Sequence, residues 1–217
     1  MLTMKKYFIG FLLTTVTAVG YSQSKFSNAL GGGLDYNYNL YFDYNNYTPY
    51  QVNHDFNLDL TGAIQLGKKI RLRLEFNYSK FSYGQRYTIV QSSNDALIKS
   101  EMTIHNLGII PRLDYKLITF SKFDLYISPG FKFDINLNYA EASTTTAGKV
   151  ISTEHMNYDY DNFMQGISGG LLLKYNITKH LSVNLVPDYT FYLGKFYNQN
   201  SGNLQRMSGN LEVEWLY

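Results

Sequence analysis

The chain has no cysteine, four prolines and one tryptophan among 217 residues. Without cysteine there is no disulfide scaffold and no Cys-ligated zinc site. A formal charge of +2, with 17 % charged residues, carries no basic excess for nucleic acid. No glycine-rich phosphate loop is present, because Gly31, Gly32 and Gly33 lie inside a strand-like stretch with no helix after it. Beyond the first residues no segment offers eighteen consecutive apolar positions, so no spanning helix is expected.

What the chain does have is tyrosine: 21 of them, within 17 % aromatic content. It also has a distinctive N-terminus. Lys5 and Lys6 precede the apolar run 7–20, and the small residues Gly20 and Ser22 stand before a cut ahead of Gln23. That is the pattern of a secretory signal, and the run is too short and too rich in Thr and Gly to anchor in a membrane. The expected organisation is a cleaved signal over 1–22 and one domain over 23–217.

Within that domain the dominant period is two, which marks strands. The first strand, about 29–44, sets Leu30, Leu34, Tyr36, Tyr38, Leu40 and Phe42 against Asp35, Asn37, Asn39 and Asp43. The second, 55–66, opposes Phe56, Leu58, Leu60 and Ile64 to Asp55, Asn57, Asp59 and Thr61. A third begins at Ile70 with Arg71, Arg73 and Glu75 on its polar side. The fourth carries Arg112, Asp114 and Lys116 opposite Leu107, Ile109, Pro111 and Leu113; Met102 and Ile104 have the other parity, and a β-bulge near His105 would bring them onto the apolar face.

A turn at about 119–122 leads into the fifth strand, with Asp124, Lys132 and Asp134 on its polar face. A long polar loop, 140–162, precedes the sixth, which carries Lys174. The seventh holds Asp188, and the eighth Arg206, Glu212 and Glu214 opposite Leu211, Val213, Trp215 and Tyr217. Long polar connections follow strands one, three, five and seven, and tight turns follow two, four and six. Long and short connections alternate in this way in outer-membrane barrels, where Tyr and Phe near strand ends form interfacial girdles. The expected fold is all-β: an eight-stranded antiparallel up-and-down transmembrane β-barrel. A soluble barrel of the lipocalin kind, with its apolar face inward around a ligand, is the alternative; the signal, the girdles and the loop rhythm favour apolar-out.

The runs 107–115 (LGIIPRLDY), 124–131 (DLYISPGF) and 211–217 (LEVEWLY) resemble the outer-membrane protein β-barrel domain family that includes OmpX-like and PorT-like proteins. The resemblance implies a barrel over the whole mature chain, and a final strand, Leu211, Val213, Trp215 and Tyr217, similar to an assembly-machine recognition signal. It is nearly silent about activity.

If the apolar face meets lipid, the lumen holds Arg71, Arg73, Arg112, Lys116, Lys132, Lys174 and Arg206 with Asp35, Asp59, Glu75, Asp114, Asp124, Asp134, Asp188, Glu212 and Glu214. These charges must pair or be solvated, and eight strands leave an interior about wide enough for side chains to fill. A structural network is therefore expected before an ion path. Of His54, His105, His155 and His180, the sequence places only His105 on a strand near an outer rim, flanked by Ser100, Glu101 and Thr103, which is thin ground for lipid-modifying catalysis. Asp159 and Asp161 in the run 157–162 lack the glycine and bidentate glutamate of a calcium loop.

No enzyme activity, cofactor or metal is expected. The expected partners are outer-membrane lipid, the barrel assembly machinery during insertion, and a surface or periplasmic protein. The expected role is a structural or interaction scaffold with surface loops; the alternatives are a component of secretion or envelope assembly, a small pore, and a lipid-modifying enzyme.

Overall fold

The computed structural model describes residues 28–42, 53–86, 97–145, 150–155, 163–194 and 203–217. The signal segment, the run 157–162 and most of the outer connections lie outside these residues. Among the described residues nine strands follow one another: β1 (Asn28–Phe42), β2 (Asn53–Gln65), β3 (Ile70–Arg86), β4 (Leu97–Phe120), β5 (Phe123–Thr145), β6 (Val150–His155), β7 (Phe163–Asn176), β8 (Leu181–Tyr192) and β9 (Asn203–Leu216). Eight of them form an antiparallel ring in the order β1-β2-β3-β4-β5-β7-β8-β9, closed by β9 on β1. At the seam the Asn28 amide donates to the Tyr217 carbonyl at 3.2 Å and the Tyr217 amide to the Asn28 carbonyl at 3.0 Å. Closure leaves no unpaired edge, the condition for putting strands in hydrocarbon.

β6 is the exception to the up-and-down pattern. It pairs with β5 over residues 139–144, beyond the segment 123–135 that pairs with β7, and so extends one hairpin outside the ring. The expected loop over 140–162 is thus partly strand: β5 runs on to Thr145, and His155 ends β6. The alternation that identifies β5 continues in weaker form through residues with small side chains, whose β character comes only from pairing.

The bulge expected near His105 exists, but on the other strand. His105 faces Asn138 and Asn106 faces Asn136, so the additional residue is Leu137 of β5. From Ile104 to Asp114 β4 keeps one parity, and Ile104 stays on the inner face with Asn106, Ile110 and Arg112. A second irregularity, between Lys116 and Ile118, inserts Leu117 and precedes the two-residue turn Ser121–Lys122. Ser121 has φ 54°, the left-handed value that such a hairpin needs at its first central position.

The two faces of the wall are the reverse of those in a water-soluble protein. Leu30, Leu34, Phe56, Leu58, Leu60, Phe131 and Leu211 are each more than half exposed, whereas Arg73, Glu212 and Asp114 have almost no accessible surface. Burying charge while exposing a continuous belt of leucine and phenylalanine makes sense only when the outside is hydrocarbon. This removes the lipocalin-type alternative, which needs the opposite assignment.

Candidate functional site

Strand register gathers the inward side chains into a packed polar column. In the half nearer the tight turns, Arg71 grips Glu214 with both terminal nitrogens, one contact being 3.2 Å, and its Nε lies 3.6 Å from Asp114. Two positions along β3, Arg73 donates to Glu212 at 2.9 Å and to the Ser128 hydroxyl at 3.2 Å, with its Nε 3.3 Å from Asp114. Arg112 spans from Glu75 at 3.0 Å to Asp188 at 2.9 Å. Lys174 reaches Glu214 at 2.5 Å, and the Asn184 amide donates to both Glu212 and Glu214, at 3.1 and 3.0 Å. Charge-assisted bonds of this kind are individually strong, and here they share partners around the whole ring.

Glycines in β1 make room for the two glutamates. Gly31 faces Glu214 and Gly33 faces Glu212 across the closing seam. A Cβ on Gly33 would stand 2.5 Å from the Asn210 side-chain oxygen and 2.6 Å from the Leu211 carbonyl. The triplet that resembles a phosphate loop in composition is a packing device at Gly31 and Gly33.

Closer to the rim of tight turns, Asp124 takes bonds from Thr119 at 2.6 Å and Lys116 at 3.0 Å. A small buried apolar cluster of Tyr126, Leu172 and Val186 sits on β5, β7 and β8, between Lys174 and Ser168 along β7 and between Asn184 and Asp188 along β8. The sequence reading assigns no residue of this cluster to the lumen. A signal for it exists: Leu171-Leu172-Leu173 and Leu185-Val186 are unbroken apolar runs, and parity sends the middle of the first and the second of the pair inward.

The outer half is thinner in ion pairs. Tyr192 donates to Asp134 at 2.5 Å and lies 5.9 Å from the Arg206 guanidinium, whose Nε donates to Asn39 at 2.9 Å. Lys132 is 3.9 Å from Asp134. Asp59 accepts from Asn210 at 2.8 Å and Asp35 from Asn57 at 3.4 Å. Neighbouring strands place Asp35, Asn57, Ser79, Asn106 and Asn136 side by side in one inward row of short polar groups.

The structure therefore places every residue of the expected lumen set inward, and divides it. Arg71, Arg73, Glu75, Arg112, Asp114, Lys174, Asp188, Glu212 and Glu214 form one connected network. Lys116, Asp124, Lys132, Asp134, Arg206, Asp35 and Asp59 belong to the smaller groups on either side of it. The terminal residues Leu211, Val213, Trp215 and Tyr217 all face outward, with Trp215 stacked on His180 at 6.3 Å.

His105 meets a tyrosine in the described wall. Its Nδ1 is 2.6 Å from the Tyr78 hydroxyl and its ring faces outward from the wall, while the side chains of Ser100 and Glu101 lie outside the described set. His54, just outside the expected second strand at 55–66, is on a strand as well, since β2 begins at Asn53. Among the described residues no group of three or more His, Asp or Glu side chains is arranged to hold a metal.

No protein-family model and no curated protein matches the sequence. Solved structures do. OprG from Pseudomonas aeruginosa is similar at 12 % identity and TM-score 0.52, over 88 % of this chain and 95 % of that one. A major outer membrane protein from Thermus thermophilus is similar at 8 % identity and TM-score 0.51, over 87 % and 99 %. The chain has the fold of an outer-membrane β-barrel. Ail, the attachment invasion locus protein of Yersinia pestis, also matches, at 8 % identity and TM-score 0.48, over 89 % of this barrel and 100 % of its own length. At such identities the likeness concerns the fold of the barrel and leaves its task to be argued from its own side chains.

Proposed function

We propose that this barrel is an integral outer-membrane protein whose work is structural: a rigid, non-enzymatic scaffold that holds four surface connections for contact with a protein partner or the environment. Export by a cleaved segment over 1–22 belongs to this reading, as does insertion by assembly machinery that reads the outward Leu211, Val213, Trp215 and Tyr217. The observation that carries it is the lumen. Arg71, Arg73 and Arg112 bridge acidic residues from β3, β4, β8 and β9, and the apolar cluster of Tyr126, Leu172 and Val186 fills further lumen space on β5, β7 and β8. A solute path would need mobile, hydrated charges, and here the charges are held by one another. Rigid walls of this kind suit the display of loops.

The test is to replace the outer connections with short Asn-Gly turns, leaving β1 to β9 intact, and to express that barrel in cells lacking the natural chain. The scaffold reading expects a folded, heat-modifiable barrel that fails to restore whatever the deletion disturbs. Full restoration by the loop-less barrel would overturn it.

A further inference from the structure

On three neighbouring strands the lipid-facing apolar belt ends, toward the outer side, in an ionisable group. Along β2 the outward positions run Ile64, Leu60, Leu58 and Phe56, then His54. Along β3 they run Ile70, Leu72, Leu74, Phe76 and Tyr78, then Lys80. Along β4 they run Leu113, Ile109 and Leu107, then His105. Elsewhere toward the outer ends, β5, β7 and β9 carry uncharged Asn138, Gln165 and Gln205. Among outward strand residues whose side chains are described there is no carboxylate.

Register brings the three together. Lys80 lies directly opposite His105. The β2–β3 pairing ends at Asn57 with Ser79; carried on by one step, that register sets Phe56 beside Lys80 and His54 diagonal to it. Both imidazoles are held in the same way. The Tyr78 hydroxyl bonds Nδ1 of His105 with the rings stacked at 5.9 Å and 28°, and the Tyr36 hydroxyl bonds Nδ1 of His54 with the rings stacked at 5.5 Å and 16°. The bond to the tyrosine hydroxyl fixes each imidazole ring by its Nδ1 and leaves Nε2 directed away from the tyrosine.

A lysine on a lipid-facing wall is costly at mid-membrane and nearly free at the interface, which places this edge at headgroup depth. The Lys80 charge beside two held imidazoles, with no carboxylate among the described outward side chains and an apolar wall beneath, matches an anionic headgroup whose chains run down the barrel. We infer that His54, Lys80 and His105 form a seat for the phosphate of an outer-leaflet lipid, with its acyl chains against Leu58, Phe76 and Leu107.

The absence of cysteine makes a site-resolved test clean. A fluorophore is attached at Leu58→Cys below the seat, or at Ile167→Cys on the opposite wall, and the folded barrel is placed in phosphatidylcholine vesicles. Quenching by nitroxide-labelled phosphatidic acid is then compared with quenching by nitroxide-labelled phosphatidylcholine. One lysine at the surface predicts a local excess of phosphatidic acid of roughly fivefold at Leu58→Cys. The inference expects near parity at Ile167→Cys, and loss of the excess in K80Q and in H54Q/K80Q/H105Q, each first shown to be heat-modifiable. Equal quenching by the two lipids at Leu58→Cys, or an excess unchanged in K80Q, would overturn it. Abolition of the excess by inorganic phosphate would assign the seat to free phosphate and overturn the lipid assignment.

Discussion

Replacing Arg73 with methionine keeps most of the side chain's volume and removes its charge from the centre of the lumen. The guanidinium touches Glu212 at 2.9 Å, Asp114 at 3.3 Å and Ser128 at 3.2 Å, with no accessible side-chain surface. Truncating one member of a buried pair costs about 3–5 kcal/mol, because the partner charges remain buried. Here the partners are not abandoned. Glu212 keeps donors in Asn184, Thr61 and Asn210, and Asp114 keeps Ser128 and, at 3.6 Å, Arg71. The expected loss for R73M is therefore at the lower end, about 3 kcal/mol, a factor of roughly 150 in the folding equilibrium. Urea titration of the barrel in lipid vesicles, read by the mobility of unboiled samples on a gel, measures it. In a cycle with E212Q the double variant loses less than the sum of the singles, since Arg73 and Glu212 share one bond. A loss under about 1 kcal/mol, the range of exposed pairs, together with additive singles, would refute the claim that this network holds the barrel shut.

The other expectations concern packing, the outer wall and assembly. Gly108→Ala places a Cβ 2.0 Å from the Asn77 side-chain oxygen and 2.4 Å from that of Asp134, so it costs about 1–3 kcal/mol in the same titration. Leu60→Arg, on a side chain 68 % exposed in the middle of the β2 belt, costs about 2–4 kcal/mol in a bilayer; a change near zero would show that this face meets water. Trp215→Ala with Tyr217→Ala slows appearance of the heat-modifiable form in cells and leaves spontaneous folding into detergent nearly unchanged, because both side chains point away from the lumen.

The architecture is legible because each barrel strand alternates over enough residues that chance does not imitate it, as in Phe123 to Ile135 of β5. The inward set follows from the same parity. Two things are not legible. Parity around His105, read through apolarity, makes Ile104 an outward residue that needs a bulge; in fact the lumen admits apolar side chains, and the bulge is at Leu137 on the partner strand. The partners of each charge are also hidden, because Arg71 and Glu214 or Arg73 and Glu212 meet only when β9 closes on β1, and that closure is a property of the ring and not of any local pattern. His54 escapes the sequence reading because its strand starts two residues earlier than the alternation around Asp55 suggests.

The central claim is that the lumen is a closed network, and planar-bilayer conductance of the refolded mature barrel tests it most directly, with heat modifiability checked on the same sample. The account predicts a folded barrel that is electrically silent, with brief steps appearing only when Arg73 and Arg112 are both replaced. Stable unitary steps from the unaltered protein would contradict it and make the same charges the lining of a solute path.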